Sequence, residues 1–160
     1  MTSHKFLAKG AIGPFSGFAW PAAGTWVEAA APLAECARGI HVCRPGDLAH
    51  WIHDELWEVE TDGTAVTGHD CLVVPRAALV RRIDGWDRQR ARFADACLER
   101  AAGASGPLLD DARYMAQHGL VAPVAFTTAL AASRAGAGDP DATYQRERAW
   151  QSAWLARELL

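Results

Sequence analysis

The chain has 160 residues, half of them hydrophobic and 22% charged, which is one domain's worth of ordinary globular composition and excludes global disorder. Its formal charge is −3 with a sequence pI near 6.0, and its densest arginines (Arg81, Arg82, Arg88, Arg90, Arg92) are interleaved with Asp84, Asp87 and Asp95, so nothing in it draws nucleic acid electrostatically. No apolar run reaches the roughly 18 residues of a membrane span, and the N-terminus lacks the apolar stretch of an export signal; the expected location is the cytoplasm.

In chain order, His4 to Lys9 reads as a short opening strand. Gly10 to Gly24 carries Gly10, Gly13, Pro14, Ser16, Gly17, Pro21 and Gly24 and is read as a loop. Trp26 to Ala29 is a brief strand. Gly39-Ile40-His41-Val42-Cys43 alternates, is β-branched and is closed by Pro45-Gly46, which predicts another. Asp47 stands where an N-cap belongs, with Leu48, Trp51 and Ile52 at helical spacing behind it. Leu56 to Glu60 alternates Trp57 and Val59 with Glu58 and Glu60, Asp62-Gly63 supplies a turn, and Cys71 to Val74 is expected as the return strand, with Leu79 to Ile83 as one more.

The character changes at Trp86. Phe93, Ala94, Cys97, Leu98 and Ala101 recur at helical spacing up to Gly103. Further helices are expected from Asp110 to His118, from Pro123 to about Ala135 and from Asp141 to the end, with Gly103–Pro107 and Gly136–Pro140 as connectors. The fold class is α+β: a small twisted, mainly antiparallel sheet in residues 1–85, with one short helix, packed with three to four α-helices from residues 86–160, all one domain.

Cys36-x4-His41-x-Cys43 is the densest group of possible metal ligands, since zinc takes N and S donors in a tetrahedron. The chain has no CxxC knuckle, and the four cysteines Cys36, Cys43, Cys71 and Cys97 read equally as reduced core thiols in a cytoplasmic protein. Strand alternation turns His41 and Cys43 to one side, opposite Ile40 and Val42. Glu58 and Glu60 share a strand face; two carboxylates so placed can split their pKa values for acid–base work, or can simply form a solvated face. No GxSxG elbow, Walker loop or GxGxxG is present.

The opening Lys5-Phe6 stretch, Trp20 before Gly24, Cys36-x-x-Gly39-x-His41-x-Cys43, a short helix, and Glu58-Val59-Glu60 followed by Asp62-Gly63 occur in this order over His4 to Ile83. In this the chain is similar to a family of small bacterial and phage domains with no established activity, and as a whole it looks like a group of actinobacterial proteins with the same helical tail. Gly39 to Trp51 followed by Leu56 to Gly63 also resembles the β core of ADP-ribosyltransferases. That resemblance implies an Arg or His on the first strand, where His4 or Lys9 stands, a polar residue on the second, where His41 stands, and a catalytic Glu near the last, where Asp70 or Cys71 falls instead.

Two functions follow as expectations. The first is a small-molecule or nucleotide pocket on the sheet face lined by His41, Cys43, Trp51, Trp57, Glu58 and Glu60, with a cofactor unspecified. The second is a non-catalytic interaction module, a homodimer or protein partner held by the last helix, where Trp150, Ala153 and Trp154 lie beside Glu147, Arg148, Arg157 and Glu158; packing of those rings into the core is the alternative.

Overall fold

The computed structural model describes residues 2–136 and 138–160. Strand β1 (Thr2–Leu7) is an edge of a four-stranded antiparallel sheet that also contains β2 (Trp26–Glu28), β4 (Glu55–Asp62) and β7 (Arg76–Arg82), in the order β1-β4-β7-β2. A second antiparallel sheet has the order β3-β6-β5, from β3 (Ile40–Val42), β5 (Val66–Thr67) and β6 (Leu72–Val74). The sheets join where His4 and Cys43 exchange backbone hydrogen bonds of 3.0 and 2.6 Å. A 3-10 helix, Pro45–His50, links β3 to β4, and the C-terminal half is α1 (Gly85–Arg100), α2 (Pro107–Gln117), α3 (Val121–Ala135) and α4 (Pro140–Leu159). The architecture is α+β, with strands first and helices after. No helix among the described residues is long and apolar enough to cross a membrane.

Period-two alternation sends neighbouring strand residues into two cores. Phe6 and Leu56 enter the larger one, with Leu48, Trp86, Phe93, Val124, Trp154 and Leu155. Leu7 and Val59 enter the smaller one, with Ile40, Val42, Val74 and Leu79, and Trp57 packs against it. The larger core therefore draws on both halves of the chain, and its rings meet edge-on or tilted: Phe6 on Trp86 at 5.4 Å, Phe93 on Trp154 at 5.2 Å.

Three expectations need correcting. The Cys71–Val74 segment is not the return strand for Leu56–Glu60; β4 pairs with β7 and β1, while β6 lies between β3 and β5 in the other sheet. A short apolar run identifies a strand but not its partner, which non-local packing selects. The turn of helix after β3 is 3-10 and begins at Pro45, so Asp47 sits inside it rather than capping it; its carboxylate reaches back to the Arg44 amide at 3.1 Å and pairs with the Arg44 guanidinium at 2.6 Å. Helices α2 and α3 start three and two residues earlier than Asp110 and Pro123, because Pro107 and Val121 already take helical positions.

The halves are clamped at Ala49. Its amide donates to Ser152 Oγ at 3.0 Å and its carbonyl accepts from Arg148 Nη2 at 2.5 Å. Arg148, only 5% exposed, also donates to Gln151 Oε1 at 2.8 Å, and Gln151 Nε2 donates to the Ala125 carbonyl on α3 at 2.7 Å. One helix thus satisfies both polar groups of a buried peptide and ties itself to α3. Removing the hydroxyl leaves the Ala49 amide without an acceptor, so Ser152→Ala should lower unfolding free energy by roughly 1–3 kcal/mol, read as a shift in urea midpoint at unchanged slope; a change within error would contradict this account of the junction.

Candidate functional site

The Gly10–Gly24 segment is read from sequence as a plain loop, yet it folds on itself. Ala8 and Ile12 exchange hydrogen bonds of 2.8 and 3.2 Å, Gly13 donates to the Phe18 carbonyl at 2.8 Å, and Trp20 donates to the Ala11 carbonyl at 3.0 Å. Positive φ values at Gly10 (82°) and Gly17 (67°) make these reversals possible. The anchor is Glu55, 7% exposed, whose carboxylate accepts from the amides of Gly10 at 2.9 Å and Ala11 at 3.1 Å and from the Trp57 indole at 3.0 Å. Burial pushes this carboxyl's pKa up, but the three donors outweigh it, and the group lies below the ordinary carboxylate value.

The folded loop stands beside β1 and β3 and borders an open cavity of about 750 Å³ whose wall includes Lys5, Phe15, Phe18, Trp20, His41 and Trp51. This is the size range of small-molecule sites. Phe15 is 87% exposed and Phe18 45%, an uncommon position for two phenyl rings unless something covers them. Each leans edge-on against a deeper indole, Phe15 on Trp51 at 6.1 Å and Phe18 on Trp20 at 5.9 Å. The Trp51 indole donates to the Asp70 carbonyl at 2.8 Å, which sets its plane, and the ring stands 6.2 Å from His41.

Two ionisable groups face this aromatic wall from the strands. Lys5 Nζ donates to the His41 carbonyl at 2.5 Å and lies 5.6 Å from the centre of the Trp20 ring. Burial pulls its pKa below the usual lysine value. His41 Nε2 accepts from the Cys36 amide at 3.0 Å, which leaves the ring proton on Nδ1. Burial, and then the neighbouring Lys5 charge, lower its pKa, so the imidazole is held neutral.

Of the residues singled out from sequence, Cys36, His41 and Trp51 line the cavity together. Cys43 shares a strand side with His41 but lies in the larger core, 3% exposed. Trp57 is occupied by Glu55, Glu58 pairs with Arg81 at 2.7 Å, and Glu60 points outward; none of the three belongs to the cavity wall. The β4–β7 register shifts between Glu58 and Val59, where Val80 of β7 is the extra, unpaired residue. Cys36, His41 and Cys43 do not converge as metal donors, since His41 is engaged by a backbone amide and Cys43 is buried among Phe6 and Leu48. Donor atoms of Glu35, Asp70 and Cys71 instead meet within 4.8 Å of one another, with Glu35 already taken by the His69 amide at 2.7 Å. Burial pushes the Cys43 and Cys97 thiols up to about 12 and Cys71 up to about 11, so at neutral pH all three are protonated and poor nucleophiles.

Lys5, Phe15, Phe18, Trp20 and Glu55 are cavity-forming residues that the sequence reading missed. The available signal was Phe15, Phe18 and Trp20 inside a segment otherwise made of small residues, because aromatic side chains on a loop have no strand or helix face to hide in. On α4, Trp154 is 7% exposed in the larger core, and Trp150 packs against that core beneath Arg100 at 4.6 Å. An interface built on those two rings would have to take them from packing they already have.

Protein-family models, curated proteins and solved structures were compared with this chain, and none matches it.

His4, His41 and His50 all have pKa values below the 6.5 of a free histidine, in each case chiefly through burial. The unfolded chain therefore binds protons first, and the native state's advantage, complete above pH 6.5, is lost as pH falls through that value. Melting temperature should drop between about pH 7.5 and about pH 5.5, at a slope of at most about 1.4 kcal/mol per pH unit for each histidine. His41→Gln should flatten part of that slope; an unchanged slope would mean that His41 titrates normally in the folded protein.

Proposed function

We propose that this chain binds a small molecule bearing a flat ring system and a hydrogen-bond acceptor or anionic group, with nucleotides as the leading class, in the cavity between the Gly10–Gly24 loop and strands β1 and β3. The observation that carries the reading is the composition of the wall: the rings of Phe6, Phe15, Phe18, Trp20 and Trp51 share it with one amine that is in no ion pair among the described residues. A ring entering the cavity gains stacking and burial against Trp20 and Trp51, while an acceptor on it replaces water at Lys5. The exposed Phe15 and Phe18 then become covered. The neutral His41 adds a donor or acceptor beside the ligand without adding charge.

The resemblance of the Gly39–Trp51 and Leu56–Gly63 sequence segments to the ADP-ribosyltransferase β core makes nicotinamide adenine dinucleotide the first probe. No carboxylate stands in the cavity beside Lys5 and His41 in the way that family's glutamate does; Glu28, at the rim, faces Arg76 at 3.2 Å. The reading is therefore one of binding.

Titration with this dinucleotide, adenosine monophosphate and adenosine triphosphate should quench tryptophan fluorescence and raise the melting temperature by several degrees, since ligand at about a hundredfold over Kd adds about 2.7 kcal/mol. Trp20→Ala and Trp51→Ala should each weaken binding by roughly 1–3 kcal/mol, the usual contribution of a ring stacked on a base. No stabilisation by any of the three at millimolar concentration (about a thousandfold above a micromolar Kd) would eliminate the nucleotide form of the proposal.

The loop that forms one cavity wall hangs on Glu55. Replacing it by glutamine keeps the shape but puts an amine-type donor against two amides and an indole that all donate. Glu55→Gln should therefore cost roughly 1–3 kcal/mol of stability and should weaken ligand binding at the same time. Loss of stability with binding intact would show that the loop's order is irrelevant to the cavity.

A further inference from the structure

The chain contains only two lysines, Lys5 and Lys9, among its sixteen basic Lys and Arg residues. They differ sharply in setting. Lys9 is exposed at the end of β1, whereas Lys5 is half-buried, forms part of the cavity wall, and has its Nζ directed to a backbone carbonyl rather than to a carboxylate. A lysine that lacks an anionic partner and stands among aromatic rings is the arrangement in which an amine becomes a nucleophile, because its free base is not penalised by burial while its ammonium is. The chemistry available to it is narrow. The three buried thiols are protonated and outside the wall, the imidazole of His41 is tied to the Cys36 amide, and the nucleophiles left in the cavity wall are the Lys5 amine and the exposed Cys36 thiol, of which only the amine can form a C=N bond.

We infer that Lys5 condenses reversibly with the carbonyl group of an aromatic aldehyde or ketone held in this cavity. The inference deepens the binding reading above and rests on it: the rings select a flat ligand, and the amine then selects one with a carbonyl. Nζ forms a bond to the carbonyl carbon while the carbonyl oxygen takes up a proton, giving a carbinolamine. Loss of that hydroxyl, together with a proton from nitrogen, expels one water and leaves the C=N bond. No oxidant or reductant enters, and hydrolysis restores both partners. The Trp20 ring lies 5.6 Å from Nζ, within reach of a ring held on the imine, and burial, which lowers the Lys5 pKa, raises the share of the amine in the reactive free-base form.

The probe is 2-naphthaldehyde with sodium cyanoborohydride at neutral pH, which converts an imine into a stable secondary amine, followed by peptide mapping of the intact chain. Because the chain has a single other lysine and one N-terminal amine, selectivity is read directly. The expected result is one naphthylmethyl adduct on Lys5, formed about tenfold or more faster than on Lys9, the advantage of holding the carbonyl beside the amine. Lys9→Arg should leave labelling unchanged. Lys5→Arg should reduce total labelling to the slow rate of Lys9 while its far-UV circular dichroism remains that of the folded chain.

Equal labelling of Lys5 and Lys9, at the rates seen in the urea-unfolded chain, would overturn the inference. If 2-naphthalenemethanol, which has no carbonyl, binds under those conditions, the cavity reading survives without the covalent step. If it does not bind and labelling is unselective, the cavity reading fails as well. Selective loss of Lys5 labelling on adding adenosine monophosphate would support a single shared site.

Discussion

The structure depends on how one buried peptide is satisfied. Ala49 sits in a 3-10 helix beneath the larger core, where an unpaired amide or carbonyl would carry the full cost of desolvation. Both of its polar groups are met from α4, 99 and 103 residues downstream, by Arg148 and Ser152. That pairing seats the last helix against the segment bearing Leu48 and Trp51. Leu48 closes the larger core and Trp51 forms a cavity wall, so the position of the cavity follows from the position of the C-terminal helix. The strand-rich and helical parts are halves of one packing problem.

A second constraint sets the other wall. Glu55 collects three donors from the first loop and from β4, and its carboxylate is ionised because the donors outweigh its burial. A buried carboxylate of this kind is costly unless every lone pair finds a partner. Here the partners are backbone amides of a segment rich in glycine, so the charge orders the loop. Phe15, Phe18 and Trp20 come with it. The resulting hollow is apolar on the loop side and carries Lys5 and His41 on the strand side. Its charges are lopsided: Lys5 is in no ion pair, His41 is neutral, Glu28 faces Arg76, and the buried thiols lie outside the wall to which Cys36 belongs.

Strand and helix identities were legible because they rest on local periodicity. Ile40 and Val42 do face one core while Cys43 faces the other, as alternation requires, and Phe93, Ala94 and Cys97 do line one side of α1. The alternation of Trp57 and Val59 with Glu58 and Glu60 also holds. What alternation could not tell is which surface each strand face meets. His41 and Glu58 were grouped by face, but they lie in different sheets: His41 turns to the loop, and Glu58 finds Arg81 across β7.

Residue order alone thus determined the class of the fold and the places of most of its strands and helices, since each follows from neighbours within a turn or two of chain. Only tertiary structure decided that β4 pairs with β7 rather than β6, that Trp154 is core while Phe18 is not, and that Lys5 meets His41 across 36 residues. Those outcomes depend on contacts between residues far apart in sequence, where many pairings have similar local propensities. Burial of particular polar groups, foremost Glu55 and the Ala49 peptide, selects one of them.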